Sequence, residues 1–254
     1  MARLVAGEFS KIFSTRLWFW LLLVGMAVTA LYVTLGIAFA DNPSQPSPPL
    51  DTAEGQRTLF AVGSSPAAAV LAVLAAIGVA GEFRHRTASA TFLATPRRGQ
   101  VLLAKVAAYL VVGVGYAAAC LALTIAMAMP WLASKDIAVS LTANGLPEAF
   151  AGAAIAVALF APIGVGLGAL LREQIGVTVG LLLYLFVIEP ILARIPALEP
   201  IAAYLPGTAA RALSQVHQSS IEFVAPWAGA LLLCGYGVAL AAAGTVALRR
   251  RDIA

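Results

Sequence analysis

Residues 17–40 read LWFWLLLVGMAVTALYVTLGIAFA, a run of 24 positions without one charged side chain. About 20 such residues cross the hydrocarbon core of a bilayer as a helix. Five further apolar stretches follow, at 58–80, 101–129, 149–171, 175–193 and 224–248. The 254-residue chain is 61% hydrophobic and 11% charged, far from the composition of a water-soluble domain. The sequence therefore predicts an all-α membrane protein, a single transmembrane domain over 1–254 with six transmembrane helices.

The basic residues are distributed unevenly between the two ends of these stretches. An even number of spans puts both termini on one side, and 12 of the 16 Lys and Arg residues fall on that side. Only Arg57, Lys135, Arg194 and Arg211 fall on the other. Because cytoplasmic loops of membrane proteins are enriched in Lys and Arg, we expect both termini to be cytoplasmic, in a bacterial plasma membrane. The net charge of +4 lies at the ends of apolar runs, so it indicates membrane orientation and not a nucleic-acid partner.

Residues 1–16 precede the first span and alternate apolar with polar positions at helical spacing. This pattern predicts an amphipathic helix on the cytoplasmic membrane surface, with Lys11 and Arg16 free to snorkel. Its apolar face comprises Leu4, Val5, Phe9, Ile12 and Phe13. The Ala-Phe-Ala before Asp41 offers an alternative, a cleaved signal peptide, but the apolar run is much longer than such peptides use.

The segment before the last span is long, half polar and broken by prolines. Prolines 190, 196, 200 and 206 divide it into pieces too short to cross a membrane. We expect 194–223 to form short helices at, or dipping into, the outer interface. The candidates for an outer gate or substrate path are Tyr184 and Glu189 in the fifth apolar stretch and Tyr204 in the segment that follows it. The alternative for Glu189 is an interfacial carboxylate near Arg194.

The sequence contains none of the motifs that would give this chain its own energy source or cofactor. No Gly-Lys-Ser/Thr phosphate-binding loop occurs, and His85 and His217 lack zinc-site spacing. Spans without mid-membrane charges also disfavour a stand-alone proton-driven carrier. Cys120 and Cys234 lie inside apolar runs, so we expect both to pack between helices. We predict no enzyme activity, no metal and no cofactor in the chain itself.

Glycine pairs spaced four residues apart occur at both ends of the turn between the fourth and fifth spans. They are Gly164 with Gly168, and Gly176 with Gly180. Small residues at this spacing allow helix backbones to approach closely in lipid. We expect packing within the chain, with a dimer face as the alternative.

Residues 81–105, GEFRHRTASATFLATPRRGQVLLAK, concentrate charge between the second and third spans. A helix is allowed over 82–95, and Thr95 with Pro96 suits a break before the next helix. A positive-inside anchor would explain the arginines, but it would not explain Glu82 or the apolar pair Phe92 and Leu93. A short helix with charged flanks and an apolar tip is suited to a groove on a soluble partner.

This stretch resembles the cytoplasmic loop of type-2 ABC exporter permeases. In that family a Glu follows the second span, a Thr comes soon after, and Leu-x-x-Pro-x-Arg precedes a lysine that enters the third span. The matching positions here are Glu82, Thr87, Leu93, Pro96, Arg97 and Lys105. The YLPG at 204–207 and the terminal RRRDIA are also similar, whereas Arg86 stands where the family often has Gly.

The resemblance implies that ATP is hydrolysed by a separate subunit. Two permease copies, identical or related, would pair with two ATP-binding cassette subunits that hold the ATP and Mg²⁺. The 82–95 coupling helix would contact the ATPase through Glu82, Arg84, Arg86, Phe92, Leu93 and Arg97. The expected function is export of an amphipathic drug, antibiotic or lipid, in contact with membrane lipid. The alternative is a non-transporting membrane sensor or assembly component.

Overall fold

The computed structural model describes residues 1–40, 42, 48–87, 93, 95, 97–214 and 223–250. Every regular element in this part of the chain is helical, as the apolar runs predict. We number the α-helices in chain order. They are α1 (Ala2–Ser14), α2 (Leu17–Ala38), α3 (Ala53–Arg84), α4 (Arg98–Ala133), α5 (Leu146–Leu171), α6 (Gln174–Leu183), α7 (Glu189–Leu192), α8 (Glu199–Ala202), α9 (Pro206–Leu213) and α10 (Pro226–Arg250).

Six helical stretches among these residues are long and apolar enough to cross a membrane, which confirms the predicted all-α membrane fold. Their bounds are Leu17–Ala38, Ala53–Arg84, Gly99–Ala133, Leu146–Leu171, Gln174–Leu192 and Pro226–Ala247. The fifth comprises α6, a π-helical turn over Tyr184–Ile188, and α7. Each stretch overlaps one of the predicted apolar runs.

Several helices extend beyond these runs into polar sequence, and in α3 a polar residue caps the extension. The α3 helix begins at Ala53, five residues before the predicted start, because the Thr52 side chain accepts a hydrogen bond from the Gly55 amide. Such a side-chain bond satisfies one of the amides that a helix N-terminus leaves without an intrahelical partner. Polar ends outside the hydrocarbon are thus part of the helices.

Helices α3 and α5 form the centre of the bundle, and the glycine pair at 164 and 168 brings them together. A Cβ at Gly164 would collide with the Ala72 carbonyl group, and one at Gly168 would lie 2.7 Å from the Ala76 carbonyl oxygen. The expected packing within the chain is confirmed for this pair. A Cβ at Gly180 would meet no atom within 4 Å, so Gly180 does not contribute to a close contact inside the chain.

Two ends of the bundle can be distinguished. We call the end where α1 meets the C-terminus of α3 and the N-terminus of α4 the terminal face, and the other end the opposite face. The predicted short helices before the last span are present at the opposite face, as a 3₁₀ turn over Pro196–Leu198 followed by α8 and α9. Residues 215–222 of this segment lie outside the described residues.

Candidate functional site

Two carboxylates and two ammonium groups form a closed cluster at the terminal face. The Lys105 Nζ lies 2.6 Å from Glu8 Oε2 and 2.7 Å from Glu82 Oε1. The Lys11 Nζ lies 2.8 Å from Glu8 Oε1 and 2.8 Å from the same Glu82 oxygen. Each lysine therefore bridges both glutamates. We call these four residues the four-charge cluster.

The members of the four-charge cluster differ in their access to solvent. The side chains of Lys105, Glu8 and Glu82 are 4%, 7% and 12% exposed, whereas that of Lys11 is 44% exposed. Two positive and two negative groups cancel, so the cluster buries no net formal charge. Paired and hydrogen-bonded charges are the form in which ionic groups are tolerated in an interior.

Three helices contribute to the cluster, and their apolar faces determine its position. On α1, Ile12 is buried and Val5 and Phe9 pack against the main core, so Glu8 on the same face also points inward. Glu82 lies in the last turn of α3, and Lys105 lies in the third turn of α4. The cluster thus fastens the N-terminal helix to the two helix ends from which the 85–97 segment leaves the bundle.

The sequence predicts that Lys11 is free to snorkel, and this is wrong. Its side chain turns toward the four-charge cluster. Burial alone would lower the pKa of its ammonium group, yet the hydrogen bonds to Glu8 and Glu82 outweigh burial. The pKa of Lys11 is therefore raised above its ordinary value of 10.5. Its positive charge is secure at every physiological pH.

The ion-pair partners of Glu82 are distant in sequence. They are not the neighbouring arginines but Lys105 and Lys11, which are 23 and 71 positions away in the chain. Arg84 instead donates to the Gln174 side-chain oxygen at 3.4 Å, which joins α3 to α6. Arg86 and Arg97 are exposed. The arginines are available at the surface, while the lysines hold the interior of the site.

The coupling helix predicted over 82–95 requires a correction at its start. Residues 82–84 continue α3, since neither Gly81 nor Glu82 interrupts the helix, and His85 is its C-cap. Arg86 then adopts φ 56°, the left-handed conformation that ends a run of helix. Phe92 and Pro96 lie outside the described residues, whereas Leu93 is helical and 84% exposed.

A second polar contact closes the terminal face near the cluster. Arg172 ends α5 in the left-handed conformation with φ 57°. Its Nη2 donates to the Ala247 carbonyl oxygen at 2.8 Å, and its guanidinium lies 5.0 Å from the centre of the Phe83 ring. Phe83 is the neighbour of Glu82, so the ends of α3, α5 and α10 are linked beside the four-charge cluster.

The opposite face contains the other predicted candidates, and Glu189 has a different environment from the one expected. Glu189 is only 1% exposed, although the preceding residues 186–188 are exposed. Its Oε1 accepts hydrogen bonds from the Thr208 amide at 2.7 Å and the Thr208 hydroxyl at 3.3 Å. Arg194 is exposed and forms no ion pair with Glu189 in the described chain. The interfacial pairing with Arg194 is therefore wrong, because Glu189 faces the bundle.

The two candidate tyrosines lie near the same segment. Tyr184 begins the π-helical turn, and its carbonyl accepts the Glu189 amide. Tyr204 is exposed, and its carbonyl accepts the Tyr236 hydroxyl at 3.1 Å, which ties the segment before α9 to α10. Tyr204 thus contributes its backbone to the structure and leaves its ring exposed.

The described residues contain no group of three or more His, Cys, Asp or Glu side chains that could hold a metal ion. Compared with known proteins, the chain matches no family model. No curated protein matches it either.

Three residues of the two sites were not predicted from the sequence as site residues. Glu8 is a carboxylate in the middle of the apolar face of α1, and a charge on an apolar face is the sequence feature that could have identified it as a site residue. Lys105 lies a full turn inside an apolar run, a similar signal, although the sequence pattern by itself indicates only an anchor and a family position. Thr208 gave no signal, because its contribution is mainly a backbone amide.

Proposed function

We propose that this chain is the permease subunit of an ATP-driven exporter of the type-2 ABC class. The observation that carries the proposal is the four-charge cluster, which joins α1, the end of α3 and the start of α4. These are the elements on which a cytoplasmic partner at the 85–97 segment would act. A neutral, buried ionic cluster resists separation, since removing one member leaves an uncompensated buried charge. Force applied to the segment would then move all three helices together.

The surface around the cluster supports docking of a soluble ATPase. Leu93 is almost fully exposed, and Arg86 and Arg97, which precede and follow it in the sequence, are also exposed. An exposed apolar residue with a basic rim suits a groove with an acidic rim, in which the apolar anchor supplies affinity and the charges supply association rate. We place the terminal face in the cytoplasm on the positive-inside distribution, with two ATPase copies and a second permease copy completing the complex.

The remaining features fit a chain that provides the path and not the energy. ATP and Mg²⁺ would be held by the partner, because this sequence has no phosphate-binding loop. The substrate would be an amphipathic drug, antibiotic or lipid that crosses between the two permease copies in the bacterial plasma membrane.

The proposal is tested by co-purification. We expect the full chain to retain an ATP-binding cassette subunit encoded in a neighbouring reading frame, and Leu93→Asp to abolish this retention. Ile201→Asp makes the same apolar-to-acidic change at an exposed residue of the opposite face, and it should retain the ATPase. Equal retention of the ATPase by both variants would refute the proposed docking surface. If the full chain retains no ATPase, the sensor or assembly alternative is supported.

A second measurement addresses force transmission. Glu82→Gln keeps the shape of the side chain and removes its charge from between Lys11 and Lys105. We expect normal membrane insertion but a parallel reduction of substrate-stimulated ATP hydrolysis and transport. Wild-type values of both would mean that the four-charge cluster has only a structural role.

A further inference from the structure

The helix α9 is wedged between two transmembrane helices at the opposite face. A Cβ at Gly152 of α5 would collide with the Leu213 carbonyl group, and one at Gly229 of α10 would lie 2.6 Å from the Ala209 carbonyl oxygen. Thr208, Ala209, Ala212 and Leu213 are buried. An eight-residue helix is too short to cross a bilayer. It therefore fills the space between α5 and α10 without spanning.

The N-terminus of α9 has no cap of its own, and Glu189 supplies one from the fifth span. The N-cap residue Leu205 has no side-chain oxygen, and Pro206 is the first helical residue. The Glu189 carboxylate reaches the Thr208 amide in the first turn, where a negative charge also interacts favourably with the helix dipole. Gly207 makes this approach possible, because a Cβ there would lie 2.6 Å from Glu189 Oε1.

The backbone before Glu189 explains why the carboxylate points inward. Pro190 has no amide hydrogen, and its ring disfavours the ordinary helical position of the carbonyl four residues earlier. The chain widens into the π-helical turn Tyr184–Ile188, with the Glu189 amide bonded to the Tyr184 carbonyl. One inserted residue rotates the rest of the helix by about 100°, so Glu189 faces the bundle while its neighbours face outward.

The Glu189 carboxylate is bonded through only one of its two oxygens. Oε2 is buried and has no hydrogen-bond partner among the described residues, although the Arg211 guanidinium acts on the carboxylate electrostatically. Water would satisfy that oxygen if α9 moved away. The closed arrangement therefore gains the two bonds from Thr208 and loses the hydration of Oε2. Because these contributions oppose each other, the free-energy difference between the closed and open arrangements is small.

We propose that Glu189 and α9 form an outer latch, in which the carboxylate holds α9 between α5 and α10 and its release opens the opposite face. This inference rests on the proposed export function for its purpose, because an exported substrate must leave at that face. The latch itself needs neither ATP nor a substrate in order to be observed.

The test measures exposure of a thiol behind α9. In a chain with Cys120→Ala and Cys234→Ala, Ser214→Cys introduces one thiol by an isosteric change at a buried position just after α9. Proteoliposomes are treated from the opposite-face side with a membrane-impermeant maleimide. We expect slow labelling in this parent chain.

Two variants disturb the latch in different ways. Glu189→Gln removes the charge and keeps the shape, and Gly207→Ala keeps the carboxylate and displaces it. Each should accelerate labelling by about ten- to a hundredfold, because the two bonds from Thr208 lose a charged acceptor in Glu189→Gln and lose their geometry in Gly207→Ala. Gly235→Ala is the control, because a Cβ there meets nothing within 4 Å, and it should label like the parent.

Unchanged labelling in both latch variants would overturn the proposal. Hydrogen exchange of the parent chain supplies a measurement that does not depend on how the variants fold: the amides of 208–213 must be protected, and exchange at the rate of a free peptide would also overturn the latch. Accelerated labelling in a chain that transports nothing would support the latch and refute the export function. Transport together with unchanged labelling would support the export function and refute the latch.

Discussion

Lys105 and Lys11 bind the same two carboxylates, so comparing their substitutions isolates the effect of burial. Both ammonium groups lie 2.6–2.8 Å from Glu8 and Glu82, but the Lys105 side chain is 4% exposed and the Lys11 side chain 44%. Lys105→Gln leaves two mostly buried glutamates with one partly hydrated ammonium group between them. Losing one partner of a buried ion pair costs about 3–5 kcal/mol in the free energy of unfolding.

Lys11→Gln should cost less, about 0–1 kcal/mol, because the Lys11 ammonium group is partly hydrated, its attraction to the glutamates is screened by salt, and water can take its place beside them. The free energy of unfolding of the full chain in mixed micelles, measured by titration with SDS, gives both values. The double variant Glu8→Gln with Lys105→Gln removes one charge of each sign. It should be more stable than the sum of the two single changes predicts, by on the order of 1–3 kcal/mol. Equal losses for Lys105→Gln and Lys11→Gln would refute the argument, as would strict additivity in the double variant.

Three further predictions concern pH, packing and topology. Because the folded pKa of Lys11 is raised, its contribution to stability is present below the unfolded pKa of 10.5 and is lost only as pH rises through the higher folded value. The stability difference between wild type and Lys11→Gln should therefore be constant from neutral pH to about pH 10 and shrink above it, as unfolding titrations at each pH would reveal. Gly164→Ala should lower the free energy of unfolding by about 1–3 kcal/mol in the same assay, because the added methyl group forces α3 and α5 apart. Gly180→Ala, with open space at its Cβ, should leave the free energy of unfolding unchanged. Equal effects of the two substitutions would contradict this packing. Topology reporters should place Gln45 outside and Ser89 inside the cell, and an external Ser89 would invert the assignment of the terminal face.

The number and position of the spans were predictable because both depend on length and hydropathy alone. About 20 apolar residues suffice for any helix in lipid, whatever its neighbours. The short helices before the last span were predictable for a similarly local reason, since prolines limit the length of each piece. The apolar runs did not predict how far the helices continue beyond them. At the start of α3, for example, the Thr52 cap allows the helix to include polar residues that precede the apolar run.

The partners of the charged residues were not predictable, because they depend on which helices are neighbours. Glu82 is 23 positions from Lys105 and 71 from Lys11, whereas Arg84, only two positions away, donates to Gln174 instead. The alternative placement of Glu189 near Arg194 is wrong for the same reason, because it takes the nearest cation in the sequence as the partner. The residue that it actually meets, Thr208, offers a backbone amide that exists at nearly every position. Proximity in sequence is a weak guide to charge pairing in a bundle.

The six spans have similar mean hydropathy, yet they occupy very different positions in the bundle. Within their most apolar windows, α3 is 87% buried and α5 67%, whereas α2 is 22% buried and the fifth span and α10 are each 17% buried. Hydropathy measures how readily a helix leaves water, and lipid and protein satisfy that requirement equally. Small residues mark the places where the two inner helices make close backbone contacts. The stretch 66–81 of α3 reads PAAAVLAVLAAIGVAG, and α5 carries the glycines at which α3, α9 and α10 approach most closely. In lipid, close packing between backbones replaces the hydrophobic effect as the force that places a helix inside. The number of small residues does not decide the position by itself, because α10 is as rich in Ala and Gly as α5 and yet lies at the periphery.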